Sequence, residues 1–209
     1  LIRLKFLMKK TICLFFRKPI ITGWSAGGKF FSIENFYYEL FKNNKHKNFI
    51  FKFKVCPFES RGFFNRFILS IWAIFNQGDI NHICGDINFI SIFLKKKKTV
   101  NTFLDSYSMK RLNGLKKFLY KIFWINIPVL KSSHLIAISN KTKKEIVSYS
   151  NLKKRNISVI DFCVQNIFKK RIKRTINQIP KILIVGTAIN KNIKNIFFSL
   201  KNIKCELII

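Results

Sequence analysis

An α/β fold, a parallel sheet covered by helices on both faces, is what this sequence predicts, and three observations predict it. Short apolar runs recur along the chain, each closed by glycine, aspartate or a polar turn. Amphipathic stretches alternate with those runs, and several open on a residue type that caps helices. The chain from Pro180 onward repeats the pattern in miniature: the apolar Ile182 to Val185, Gly186, a polar loop, an amphipathic stretch, then Cys205-Glu206-Leu207-Ile208-Ile209. Strands that alternate with helices pair in parallel, and the helices must then cover the sheet. The pattern is Rossmann-like, and from Pro180 it reads as the opening of a second such domain.

Taken in order, Thr11 to Phe16 reads as a buried first strand, followed by a loop over residues 17–31 that carries Pro19, Gly23, Gly27 and Gly28. Ser32-Ile33-Glu34 opens a helix, with Ser32 placed to cap and Glu34 in the first turn, where the helix dipole favours a carboxylate. Phe49, Phe51, Phe53 and Val55 alternate with Lys52 and Lys54, the pattern of a half-exposed or edge strand. Gly62 to Asn76 forms a helix whose Phe64, Phe67, Ile68, Ile71, Trp72 and Phe75 fall on one face; core packing is the simpler account of that face, and a membrane-docking face is its rival. A strand follows Gly78 and ends at Cys84, and Asp86 is expected to cap a helix running to Leu94. Thr99 to Phe103 is the next strand, closed by Asp105. Gly114 to Asn126 is helical, and Pro128 begins a further short helix. His134 to Ser139 is a strand leading into a helix through Thr142-Lys143-Lys144-Glu145, a capping-box pattern. Ile157 to Ile160 closes the series.

These elements imply an N-terminal domain over residues 8–168, a basic linker over 169–179 and the start of a second domain over 180–209. A two-stranded parallel unit buries too little by itself. The expectation is therefore a fragment of a longer protein, and Met8-Lys9-Lys10 reads as a true start.

Composition narrows the function classes. A chain of 209 residues with 48% hydrophobic and 15% aromatic content has core material enough to exclude a disordered basic tail. The net charge of +31, from 40 Lys+Arg against 9 Asp+Glu, suits a polyanion: nucleic acid, an anionic membrane surface or a phosphorylated substrate. Lysine is nevertheless spread along the chain, with one tight run at Lys95 to Lys98, and it is abundant together with Ile, Asn and Phe, the residues of A+T-rich codons. Compositional drift accounts for that better than a dedicated nucleic-acid patch, in which arginine would rise with lysine. The five cysteines are widely spaced and form no C-x-x-C pair, so neither zinc nor a redox motif is indicated and a reducing cytoplasm fits. No apolar run approaches the ~18 residues needed to span a bilayer, and Thr11 to Phe16 is too short for the core of a signal peptide.

Several stretches stand in a telling order and spacing: Phe15-Phe16-Arg17-Lys18-Pro19 with Ser32-Ile33-Glu34, then Asp79 to Asp86, Thr99 to Asp105, Ile136 to Glu145, Ile157 to Ile160, and Ile182 to Thr187 with Lys191-Asn192. Together they resemble the family-4 glycosyltransferases of the GT-B fold. The resemblance spans nearly the whole chain. It implies an acceptor-side domain plus a truncated nucleotide-sugar-binding domain, from an enzyme that moves a hexose to a saccharide or lipid-linked acceptor in polysaccharide or glycolipid synthesis. It implies Gly186, Thr187 and Lys191 at the donor, with Lys191 and a helix N-terminus steadying the phosphate leaving group. It implies Gly27, Gly28, Ser32, Glu34 and Asp86 along the acceptor cleft, and His82 and Asp105 as the groups nearest the chemistry. The sequence departs from the family pattern at Leu104, where a histidine usually stands, and at Thr187, where a basic residue often does. The family's Glu-x7-Glu segment would lie beyond Ile209, so the fragment as given is expected to be inactive.

Each of these residues also has a plainer reading: a turn for the glycines, a helix cap for Ser32, Glu34 and Asp86, a packed histidine for His82, a solvated lysine for Lys191. The partners implied are a nucleotide-sugar and a saccharide or lipid-linked acceptor, with no metal, no other cofactor and no specific nucleic acid. The setting implied is cytoplasmic, with peripheral contact at the inner face of an anionic membrane as its extension. The rival classes are a basic α/β nucleic-acid-binding protein and a non-catalytic domain that needs a partner subunit.

Overall fold

The structure, a computed structural model, describes residues 9–18, 32–42, 48–150, 157–162, 179–185 and 192–208. The chain divides into two compact units, Leu1–Gln165 and Asn166–Ile209. In the larger, six strands form one parallel sheet: β1 (Lys10–Phe16), β2 (Phe49–Val55), β3 (Ile80–Ile83), β4 (Thr99–Phe103), β5 (His134–Ala137) and β6 (Ile157–Val159). Their order across the sheet is β2-β1-β3-β4-β5-β6. The chain steps one way from β1 to β2 and then returns to the other side of β1, so the direction of winding reverses between β1 and β3. The fold is therefore a doubly wound, Rossmann-like α/β domain, and a crevice outside the carboxyl ends of β1 and β3 follows from that reversal.

Register assigns side chains to the two faces. Cys13 and Phe15 lie beside Asn81 and Ile83, and that row continues through Phe103, Leu135, Ala137 and Ile157. It is covered by α2 (Gly62–Phe75), a 3₁₀ turn at Asn88–Phe93, and a helical run over 107–131 made of α3 (Tyr107–Arg111), α4 (Gly114–Tyr120), a π-helical segment Lys121–Asn126 and α5 (Ile127–Lys131). Ile146 of α6 (Asn140–Ser150) joins the same core. The opposite row, with Leu14, Phe16 and Cys84, packs under Tyr37 of α1 (Ser32–Lys42). β2 is the edge expected from its lysines, and most of its side chains are exposed. Cys13, Cys56 and Cys84 are buried reduced thiols that pack as small hydrophobes.

Three local expectations need correction. Most of the α2 face read as core points outward, with Phe64 78% exposed and Phe75 81%; of that face Trp72 packs on the core against Phe15, and Leu69, Ser70 and Ala73 are the buried positions. Asp86 does not cap a helix; it takes a left-handed backbone (φ 55), and the 3₁₀ turn after it has Ile87 at its N-cap. The cap of α6 is Ser139, whose Oγ accepts the Thr142 amide at 3.1 Å. Glu145 instead reaches Lys110 at 2.7 Å and accepts a hydrogen bond from Ser106.

The smaller unit contains β7 (Lys181–Leu183), α7 (Ile193–Leu200) and β8 (Glu206–Ile208), with β7 and β8 paired in parallel. This is the β-α-β order expected from Pro180 onward, and Lys181 and Glu206 form an ion pair across the strands at 2.8 Å. The expected linker residues 169–178 lie outside the described residues.

Candidate functional site

The carboxyl ends of β1, β3 and β4 each deliver a charged residue within three positions of the last strand residue: Arg17, Asp86 and Asp105. At β3 the delivery depends on the backbone. Gly85 has φ +116 and Asp86 φ 55, two successive residues in conformations that L side chains seldom adopt, and they turn the chain out of the sheet. A Cβ on Gly85 would lie 2.6 Å from Cδ1 of Leu104, so β4's first loop residue closes over the glycine. Asp86 emerges from that turn with its side chain 47% exposed and accepts a hydrogen bond from Arg17 Nη1. Arg17 Nε also lies 3.9 Å from Glu34 in the first turn of α1.

Glu34 is the enclosed member of this cluster. Its side chain is 14% exposed, and both carboxylate oxygens are buried with no hydrogen-bond partner. Arg17 is its nearest cation, and among the described residues no other ion pair involves it. Asp86 is held above the ordinary carboxylate range, chiefly because neighbouring protein strips its solvent; Arg17 pulls the other way and Asp105 adds to the rise. A carboxyl shifted toward neutrality is a better proton acceptor for a hydroxyl at working pH.

Beside Asp86 lies a polar cavity of about 60 Å³, lined among others by Asn88, Asp105, Ser108, Tyr120 and Trp124. That volume admits a few waters or the hydroxyl-bearing edge of a small polar ligand, but not a whole sugar ring. Trp124 stacks on Tyr120 at 5.3 Å and donates its indole N–H to the Asp86 carbonyl at 3.2 Å, so the aromatic wall is tied to the acid it flanks. Arg66 lies over the Trp124 ring at 4.7 Å. The Tyr120 hydroxyl is raised above its usual range, first by burial. Asp105 also accepts the Tyr107 amide at 2.9 Å, which starts α3 and fixes the carboxyl at the cavity rim. The arrangement offers acceptors for hydroxyl protons from two carboxylates, Asp86 and Asp105, the first of them paired with the Arg17 guanidinium.

The structure thus brings together Glu34, Asp86 and Asp105 of the residues expected from sequence. His82 is elsewhere. It is the third residue of β3, on the sheet face beneath α1, with Nε2 on Thr102 Oγ1 at 2.8 Å and its ring edge-on to Tyr37 at 5.3 Å. It borders an apolar groove of about 210 Å³ with Phe36, Leu40 and Ile160, not the crevice at the strand ends. Its position in the strand decides this, because alternate residues point to opposite faces. Gly27, Gly28, Gly186, Thr187, Lys191 and the side chain of Ser32 lie outside the described residues. Arg17, Ser108, Tyr120 and Trp124 are not among the site residues expected from sequence. Arg17 is legible in principle as the first charge after the first strand; the other three come from a helical run distant in sequence. Among the described residues, no group of three His, Cys, Asp or Glu side chains is placed to hold a metal ion.

The His82 environment has a measurable consequence. Burial pushes its pKa from the ordinary 6.5 down to about 4. Between those values the unfolded chain takes up a proton that the folded chain refuses. The stability is therefore complete above pH 6.5 and is lost as pH falls toward 4. From pH 7.5 to 5 the expected loss from this group is about 2 kcal/mol. Urea titrations of the parent and of His82→Gln, which retains an acceptor for Thr102, check it. The parent should lose more stability than the variant over that interval, and equal slopes would show that the imidazole titrates as if exposed.

No family model, no curated protein and no solved structure matches this chain.

Proposed function

We propose that the larger unit is the acceptor-side domain of a glycosyltransferase, and that its crevice seats the hydroxyl-bearing end of a neutral saccharide or a lipid-linked saccharide. One observation carries the reading. Three of the nine acidic residues of a chain with net charge +31 gather, with Arg17, at the carboxyl ends of the central strands. That is where doubly wound sheets bind ligands. Carboxylates there repel phosphate and accept hydroxyl hydrogens, which favours a polyol over a nucleic-acid backbone. Asp86 and Asp105 are the groups proposed to accept the acceptor's hydroxyl protons. The smaller unit, with its β-α-β order, is proposed to open the domain that holds a nucleotide-sugar, with Gly186, Thr187 and Lys191 at the phosphates.

Asp86→Asn tests the acceptor site with little risk to the fold, because asparagine tolerates the left-handed backbone as aspartate does. Ligand-observed NMR against a panel of neutral di- and trisaccharides is expected to detect binding by the parent chain. Affinity should fall about tenfold or more in Asp86→Asn, the worth of a hydrogen bond to a charged acceptor. A parent chain that ignores every saccharide and binds a short oligonucleotide equally with and without Asp86 would overturn the reading in favour of the nucleic-acid class.

A further inference from the structure

The outer face of α2 is an apolar surface with a cationic margin. Phe63, Phe64, Phe67, Ile68 and Phe75 are all exposed, between 47% and 81%. The patch extends off the helix, since Phe67 packs edge-on against Phe93 at 6.1 Å and Phe93 is itself 42% exposed. Directly beyond Phe93 and Leu94 comes Lys95 to Lys98, four consecutive exposed lysines that enter none of the ion pairs among the described residues. No acidic residue occurs from Ser60 to Gly78, and Glu59 is paired with Arg61 at 2.8 Å. Scattered exposed phenylalanines need no explanation, but a contiguous set on one helix face does.

We propose that this face docks the protein on an anionic lipid bilayer, with α2 lying in the plane of the interface. The choice of occupant rests on charge. A surface that joins exposed phenylalanines to unpaired lysines, with no carboxylate in the helix, matches acyl chains beneath a layer of negative headgroups. A protein partner would need a strongly acidic face to meet it, and a second copy of the chain would bring the same four lysines into repulsion. The helix has 14 residues, about 21 Å, and no helix among the described residues is long and apolar enough to cross a membrane, so α2 lies on the bilayer and does not span it. Its buried positions are Leu69, Ser70 and Ala73, while Phe63, Phe64, Phe67 and Phe75 are exposed.

Vesicle sedimentation tests the proposal on the full chain. Pure phosphatidylcholine vesicles should bind weakly, and vesicles containing a minor share of phosphatidylglycerol about tenfold or more tightly, with the gain reduced by salt. Phe63→Ser combined with Phe64→Ser should weaken binding to the anionic vesicles about tenfold; both rings are mostly exposed, so unchanged far-ultraviolet circular dichroism is expected. Replacing Lys95, Lys96, Lys97 and Lys98 together by Gln should remove the preference for anionic lipid. Brominated acyl chains should quench the tryptophan fluorescence of a Phe64→Trp variant more strongly than that of the unaltered chain, whose Trp72 packs inward against Phe15. Failure to bind anionic vesicles overturns the proposal. So does equal binding by the phenylalanine variant without quenching, which would mean adsorption by charge alone. Loss of self-association in that variant, with no vesicle binding by the parent, would assign the face to a second copy.

Discussion

Arg17→Met should destabilise the larger unit by about 2 kcal/mol at pH 7, and the loss should shrink as the pH falls below 5. Arg17 is the cation beside two carboxyls, Asp86 and the enclosed Glu34, whose oxygens have no hydrogen-bond donor of their own. Methionine keeps much of the apolar stem and deletes the charge. Breaking a fully buried ion pair by removing one member costs about 3–5 kcal/mol; here Asp86 is half open to water and relieves part of that. The sign of the pH dependence follows from linkage. Without Arg17 the pKa of Asp86, already raised by burial, rises further, so the folded chain binds that proton more readily and gains on the unfolded chain as the solution is acidified. Adding Glu34→Gln to Arg17→Met should return most of the lost stability at pH 7, because the amide needs no counter-charge. Thermal melts of the two single variants and the double variant close that cycle. A double variant no more stable than Arg17→Met alone would mean that Arg17 acts through packing.

Gly85→Ala should cost about 3 kcal/mol and abolish the crevice as a binding site in the molecules that still fold. Its φ of +116 lies where a side chain is strained whatever the space, and the added Cβ would sit 2.6 and 2.7 Å from two carbons of Leu104. Relief requires moving β4's loop or flattening the turn, and either shifts Asp86 away from Arg17. Leu104→Ala in the same chain should restore only the steric part of the loss, because the backbone strain stays. Denaturant unfolding separates the two contributions. If Gly85→Ala melted with the parent, the left-handed turn would not be what presents Asp86.

Part of the sheet was legible because a strand such as β1 is a short apolar run ended by a charge, as Phe16 is by Arg17. The edge position of β2 was legible from its alternating lysines. Strand order was not, since parallel strands pair across crossovers that leave no local mark. The site was legible in part: Glu34, Asp86 and Asp105 stand out as rare acids at element ends. The turn that aims Asp86 was not, because it packs against Leu104, which is distant in sequence. His82 illustrates the opposite error. Rarity made it conspicuous, whereas the parity of a four-residue strand decided its face. In α2 the periodicity was clear and its direction was ambiguous, since an outward aromatic face and an inward one have the same spacing.

Backbone amide chemical shifts, followed while a neutral oligosaccharide found in the ligand-observed screen is titrated into the isotope-labelled chain, test the central claim most directly. The expected result is saturable movement confined to residues around Arg17, Gly85, Asp86, Asp105 and Ser108, absent with Asp86→Asn. Movement centred instead on the lysines of residues 95–98, or reproduced by any polyanion and erased by salt, would contradict a saccharide site at the carboxyl ends of the sheet.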